Sequence, residues 1–255
     1  MLECVVIFAA GIWAGMINTI VGSGTLITFP TLLLFGYPAL TANVSNNIGL
    51  VAGGISGTYG YRHEARKLKS TLVRLAPASV LGAITGAVLL LTLPDSSFDA
   101  IVPALIALAL LMVLVGPSIQ RRAARRKLDR GADLERVSPA LFAGIFGLGV
   151  YGGYFGAAQG ILLMGLMGIT LSAGIQTLNG IKNVLGTLVN AVAAIAFMVF
   201  AWDRIDWTIV ALIGGGSLVG GVLGARIGRR LPPMVLRAII LLIGTLALVK
   251  IIWFD

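Results

Sequence analysis

Lys182 sits about nine residues inside an otherwise uncharged apolar stretch, 173–200, or roughly 13 Å deep if that stretch is a straight helix. A lysine at such depth costs about 2.5–3.5 kcal/mol on insertion scales, so an intramembrane charge is a functional-site hypothesis by default. If functional, it is a counter-charge for an anion; the bland reading is snorkelling on its long stem. Asn179 and Asn183 flank it at i, i+3 and i+4 spacing, and Asn43, Asn46 and Asn47 repeat that spacing in the first half. Residues so spaced share one helical face. Their amides can donate to anion oxygens without fixed charge, or act as hydrogen-bonded glue between helices.

A third device lies in two glycine-rich interruptions. Gly22-Ser23-Gly24 precedes Thr25, and Gly156-Ala157-Ala158 precedes Gln159 and Gly160. A helix starting after Gly24, and another after Gly160, would aim unpaired N–H groups and a partial positive charge into a cavity, as helix N-termini do in anion sites. Ser23, Thr25 and Gln159 add side-chain donors. The bland reading is that these glycines only permit close packing. The candidate binding set is therefore Lys182, Asn43, Asn46, Asn47, Asn179, Asn183, Ser23, Gly24, Thr25, Gln159 and Gly160, with Asn190 and Gln176 as weaker members.

The elements that must position these residues belong in a bilayer. The chain of 255 residues is 58% hydrophobic and 11% charged, against about 25% charged in a soluble domain. A spanning helix needs about 20 apolar residues. Segments near 40–61, 72–93, 99–118, 173–200, 207–227 and 233–253 qualify. Two more regions, 4–37 and 138–171, are apolar but interrupted, the second around Gly152-Gly153 and again at Gly156 to Gly160. Each is too long for one span and short for two, which fits a helix that folds back at its glycines. Broken backbone at membrane depth is tolerated only where protein or a cavity surrounds it.

The net charge of +9 would suit nucleic acid if it were spread over a surface. Instead, sixteen of the 19 Lys/Arg fall in three gaps, 61–74, 119–136 and 226–237. Basic loops between apolar runs mark the cytoplasmic side, so no nucleic-acid partner is expected. Within 119–136, Arg121 to Arg130 read as a short helix along the headgroups. Counting sides from these loops puts both termini outside. It makes each half a fold-back followed by three spans, the halves pointing in opposite directions. Ala10-Gly11-Ile12 matches Ala143-Gly144-Ile145, and Gly15 and Gly22 match Gly149 and Gly156. The expected organisation is an all-α integral membrane protein of two inverted repeats, 1–118 and 137–255, joined by a basic cytoplasmic linker, 119–136. Such repeats with broken helices are a recurrent transporter plan, with substrate held at the repeat interface.

The stretch Gly11 to Pro30 (GIWAGMINTIVGSGTLITFP) resembles the opening of the TauE/SafE family of sulfite and sulfonate exporters. GIFGLGVYGGYFGAAQGILL stands at the corresponding place in the second half, and Gly216 to Pro233 (GSLVGGVLGARIGRRLPP) is similar to the family's penultimate helix. The chain departs from the family in lacking a run of consecutive glycines after the first break, and in being Asn-rich where the next helix usually carries small Thr-Ser residues. The resemblance implies a multi-pass protein of the cytoplasmic membrane that exports sulfite, sulfoacetate or related sulfonates. The residues alone imply a transporter, and leave open a proton-coupled carrier of another small organic anion or a passive anion channel.

The absences also bear on mechanism. One cysteine, one histidine and no Asp or Glu inside a span leave no nucleophile, base or metal set, so neither an enzyme nor a cofactor is expected. Proton-coupled carriers commonly use intramembrane carboxylates or histidines. Their lack favours export driven by gradient and potential, the latter worth about 2.3 kcal/mol per charge per 100 mV. The expected partners are a small anion and the lipid bilayer. A homo-oligomer is permitted, but no residue calls for one.

Overall fold

The structure, a computed structural model, describes residues 1–129, 137–227 and 233–253. Among them the regular structure is helical: α1 (Leu2–Ile20), α2 (Thr25–Leu34), α3 (Ala39–Gly60), the short α4 (Arg62–Arg66), α5 (Lys69–Thr92), α6 (Asp95–Asp129), α7 (Pro139–Tyr154), α8 (Gln159–Thr170), α9 (Ile175–Phe200), α10 (Trp207–Ile227) and α11 (Pro233–Trp253), with one 3-10 turn at Trp202–Arg204. Five of these, α1, α5, α9, α10 and α6 as far as Ser118, are long and apolar enough to cross a membrane. The protein is thus an all-helical, multi-pass membrane protein.

Both interrupted regions fold back on themselves. The Tyr37 hydroxyl, just past α2, donates to Glu3 at the start of α1, 2.6 Å away. The entry of α1 and the exit of α2 therefore share one end of the bundle. The bond to a carboxylate pushes the Tyr37 hydroxyl up to about 12, with burial adding to the effect. In the second region Gly144 of α7 packs against Leu166 of α8, which makes that pair antiparallel too.

Two sequence expectations are corrected. Gly152 and Gly153 stay helical inside α7, so the second region breaks once, at residues 155–158. Gly152 has no Cβ because the Gln159 side chain lies where one would be. The basic stretch after Gln120 is no separate helix: α6 runs unbroken from Asp95 to Asp129, about 52 Å long at 1.5 Å per residue. Arg130 and Arg136 lie outside the described residues, as do Arg229 and Arg230.

Contacts sort the helix ends into two groups. At one end Arg204 pairs with Asp95 at 2.5 Å, Lys250 of α11 donates to Leu33 O of α2 at 2.7 Å, and the Asp206 amide donates to Ser45 of α3. At the other end Gly60 of α3 meets Ala225 of α10, and Gly180 of α9 meets the backbone of Ala65 in α4.

Glycine stripes set the closest packing, because lipid supplies no hydrophobic drive and backbones must approach for dispersion to hold helices together. On α10, Gly216, Gly220 and Gly224 lie against Phe8, Ile12 and Met16 of α1. On α5, Gly82 and Gly86 lie against Phe146 and Val150 of α7. The helix following each half's third element thus grips the broken helix of the other half. At the remaining flanks, α2 packs on α11 and α8 on α6, while α3 and α9 cross at the centre. At that crossing the Thr58 and Thr187 hydroxyls bond at 3.0 Å.

Candidate functional site

Both breaks are built the same way. Gly22 and Gly156 have φ of +88° and +78°, a region where glycine carries no Cβ penalty. Their N–H groups reach back five residues, to Ile17 O and Tyr151 O, each at 3.0 Å. Beyond them α2 starts at Thr25, as expected, and α8 at Gln159, two residues earlier than expected. The two breaks then touch. The Gly160 amide donates to Gly22 O at 2.9 Å, and the Cα atoms are so close that a methyl on either glycine would strike the other. The N–H groups expected to face an anion are largely held by protein: in α8 Gln159 donates to Gly156 O, Gly160 to Gly22 O, and Ile161 and Leu162 to Ala158 O, and in α2 Leu26 and Ile27 donate to Ser23 O and Gly24 O.

A cavity of about 30 Å³ lies beside this contact, enough for about two waters. Asn18, Thr19, Gly22 and Thr25 line it from the first break, and Gly156, Gln159 and Gly160 from the second. Helix α9 contributes Lys182, Asn183, Gly186, Thr187 and Asn190, one continuous face, opposite Gly54 of α3. Among the described residues no acidic side chain lines it, and Lys182 is the one ionisable residue that does.

Lys182 is 2% exposed. Its Nζ donates to Asn18 O at 2.9 Å and Thr19 O at 3.0 Å, among the last carbonyls of α1. Asn179 and Asn183 donate to the same Thr19 O at 3.3 and 3.2 Å. A helix leaves its final carbonyls without intrahelical partners and carries partial negative charge there, so Lys182 and two amides close off the end of α1. Lysine thus does not snorkel. Gln159 donates to Leu148 O at 2.9 Å, which fixes its side chain across the mouth of the second break. Thr25 heads α2, and the N–H groups that follow it, of Leu26 and Ile27, donate to Ser23 O and Gly24 O.

The structure gathers Lys182, Asn183, Thr25, Gln159 and Gly160 at the cavity. It places the other candidates elsewhere. Asn43 donates to Tyr154 O, the end of α7, at 3.0 Å. Asn46 accepts from the Thr28 hydroxyl of α2. Asn179 is spent on Thr19 O, with its carbonyl oxygen buried and without a protein partner, as are the Asn47 carbonyl oxygen and the Ser23 hydroxyl. Gly24 packs against Ala14 O. Gln176 does not line the cavity, whereas Asn190 does. Trp13 is 40% exposed on the outer surface and plays no part.

Asn18, Thr19, Gly54, Gly186 and Thr187 escaped the sequence reading. The α9 members follow Lys182 at i+4 and i+5, so its own helical face was the available signal. Asn18 and Thr19 act through backbone carbonyls, which side-chain identity does not reveal. Lys250 repeats the device at the rim, where its ammonium caps Leu33 O of α2.

Comparison with known proteins agrees with this architecture. The family described as "Sulfite exporter TauE/SafE" matches residues 7–251. The chain is 24% identical over 252 residues to a "Probable membrane transporter protein ORF9" of Sinorhizobium sp, covering 96% of this chain and 91% of that one. It is 29% identical over 234 residues to the "Probable membrane transporter protein YfcA" of Escherichia coli K12, covering 89% and 79%. A "Probable membrane transporter protein" of Haemophilus influenzae is 25% identical over 262 residues, covering 98% and 96%. No solved structure matches the chain. With the match running through both breaks, α9 and the glycine stripes, the chain belongs to the TauE/SafE family of membrane transporters.

Proposed function

We propose that the protein exports small sulfur-containing anions, sulfite or a small sulfonate, across the cytoplasmic membrane, with the cavity between the two breaks as its binding site. The observation that carries this reading is Lys182. It is a buried amine whose acceptors are neutral carbonyls, facing a cavity that no acidic side chain lines among the described residues. Its charged form is costly in a low-dielectric interior unless a counter-ion compensates it. An anion entering the cavity supplies that charge. The first turns of α2 and α8 add a partial positive field, and Thr25, Gln159, Thr187 and Asn190 offer polar groups around the oxygens. The sulfur-anion class and the direction of transport rest on the family's description, "Sulfite exporter TauE/SafE".

In this reading residues 1–118 and 137–255 are inverted repeats, the basic segments between spans are cytoplasmic, and substrate sits where the repeats meet. The Gly22–Gly160 contact closes the site, and access needs the breaks to part.

The test is direct binding of sulfite, sulfoacetate, taurine and an acetate control to the purified protein. Sulfite or a sulfonate is expected to bind in preference to acetate, and Lys182→Ala to bind about 10- to 150-fold more weakly, the equivalent of one lost charge-assisted bond at about 1.5–3 kcal/mol. Equal affinity in wild type and variant would remove the site from this cavity.

A further inference from the structure

Resting on that reading, we propose that the anion is bound together with a proton, which Lys182 takes up as the third N–H of its ammonium. The geometry of the lysine carries the argument. Its nitrogen makes two hydrogen bonds, both to backbone carbonyls of α1, at 2.9 and 3.0 Å. A neutral amine has two N–H groups, the number those carbonyls use, and a lone pair left over. An ammonium has a third N–H, and the space left for it is the cavity that Lys182 lines. The two-carbonyl cradle therefore satisfies the amine without an anion and the ammonium with one. What it does not satisfy is an ammonium with no anion beside it, a buried charge without a counter-charge.

No other group stands ready to hold the proton or to compensate the charge. Helix α4, packed at the start of α9, carries Arg62, His63, Glu64 and Arg66; helix α5 carries Lys69 and Arg74. The titratable groups of α7 are Tyr151, which donates to Ala157 O, and Tyr154. On α1 they are Glu3 and Cys4, at the far end from Asn18, and on α3 Tyr59, on the outer surface. Helix α8 has none. Asp203 and Arg204 lie beyond the opposite end of α9. None of these makes a hydrogen bond or ion pair with Lys182.

The step balances simply: amine, proton from water or from the protonated acid, and anion give an ammonium–anion pair, with no bond broken in the substrate. For a monovalent anion the loaded and empty sites then carry the same charge. Transport is electroneutral: outward flux follows the anion's own gradient and a pH gradient that is acid inside, and membrane potential does not act on it. This replaces export driven by gradient and potential without a coupling ion, and it supplies proton coupling without an intramembrane carboxylate.

The experiment is calorimetric titration of the purified full-length protein with methanesulfonate, an anion that holds no proton from about pH 6 to about pH 9. Running it in buffers of different ionisation enthalpy counts protons taken up per anion bound. About one proton is expected for wild type at the alkaline end, and none for Lys182→Arg, whose guanidinium is charged throughout. Binding by wild type with no uptake at any pH overturns the proposal and leaves the anion site standing. Equal uptake in Lys182→Arg overturns it also, and absence of binding by wild type overturns both readings. Should the arginine variant not fold, wild type in liposomes decides. Flux that follows a pH gradient at zero potential, and not potential at zero gradient, supports the proton; the reverse refutes it.

Discussion

The two breaks share a left-handed glycine with a five-residue return bond and differ in what grips them. At the first, the end of α1 is held by Lys182, Asn179 and Asn183 of α9, three donors on two carbonyls. At the second, the end of α7 is held by Asn43 of α3 alone, through Tyr154 O. Where α9 has Lys182, α3 has Asn46, which turns away to Thr28. Each long central helix thus caps the broken helix of the other half, but only one brings a charge. Asn43 and Asn179 do matching structural work at the two ends, and the lysine is what sets the first end apart.

This comparison breaks most sharply at the contact of the breaks. Gly22→Ala puts a methyl on the Gly160 backbone at a position with φ of +88°. Overpacking costs about 1–3 kcal/mol and a strained left-handed residue about 1–3 more. A fall in the thermal unfolding temperature larger than for any other variant here is expected. Next comes Lys182→Ala, with the loss of anion affinity given above, read by calorimetry. Asn43→Ala removes the only donor to Tyr154 O among the described residues, leaving a buried carbonyl unsatisfied at about 1–3 kcal/mol. Asn179→Ala leaves Thr19 O with two other donors and should cost under about 1 kcal/mol. Chemical denaturation of the two variants side by side checks that order, and neither should change anion affinity more than a few-fold. The smallest effect belongs to Tyr37→Phe, which loses one rim hydrogen bond. Because folding raises the Tyr37 hydroxyl to about 12, its stabilising share is complete below the ordinary value of about 10. It is lost as pH climbs through about 12, so stability near neutral pH should be flat. A spectrophotometric titration of the wild type should lose one late-titrating tyrosine in the variant.

Much of the fold was legible because lipid imposes long apolar runs and the glycines mark where they fail. The fold-backs and the break at Gly22 could be read from spacing. Gly152-Gly153 misled because glycine pairs serve close approach as readily as a turn, and here the Gln159 side chain needed the room. The basic run after Gln120 misled because Arg and Lys are good helix formers, so α6 simply continues through them. In the site, Lys182 stood out by its cost in the membrane. The asparagines did not sort by themselves: Asn183 reaches the cavity while Asn43 and Asn46 serve other helices, and only packing decides which face of a shared stripe meets which neighbour. Asn18 and Thr19 contribute carbonyls, which every residue has.

The central claim is that an anion sits between the breaks against Lys182. Anomalous diffraction from crystals of the protein soaked with selenite, the heavier analogue of sulfite, locates it directly. The account predicts a selenium peak in the cavity, with oxygens in hydrogen-bond reach of Lys182 Nζ and of Thr25 at the head of α2. A fully occupied peak elsewhere in the protein, with this cavity empty, would contradict it.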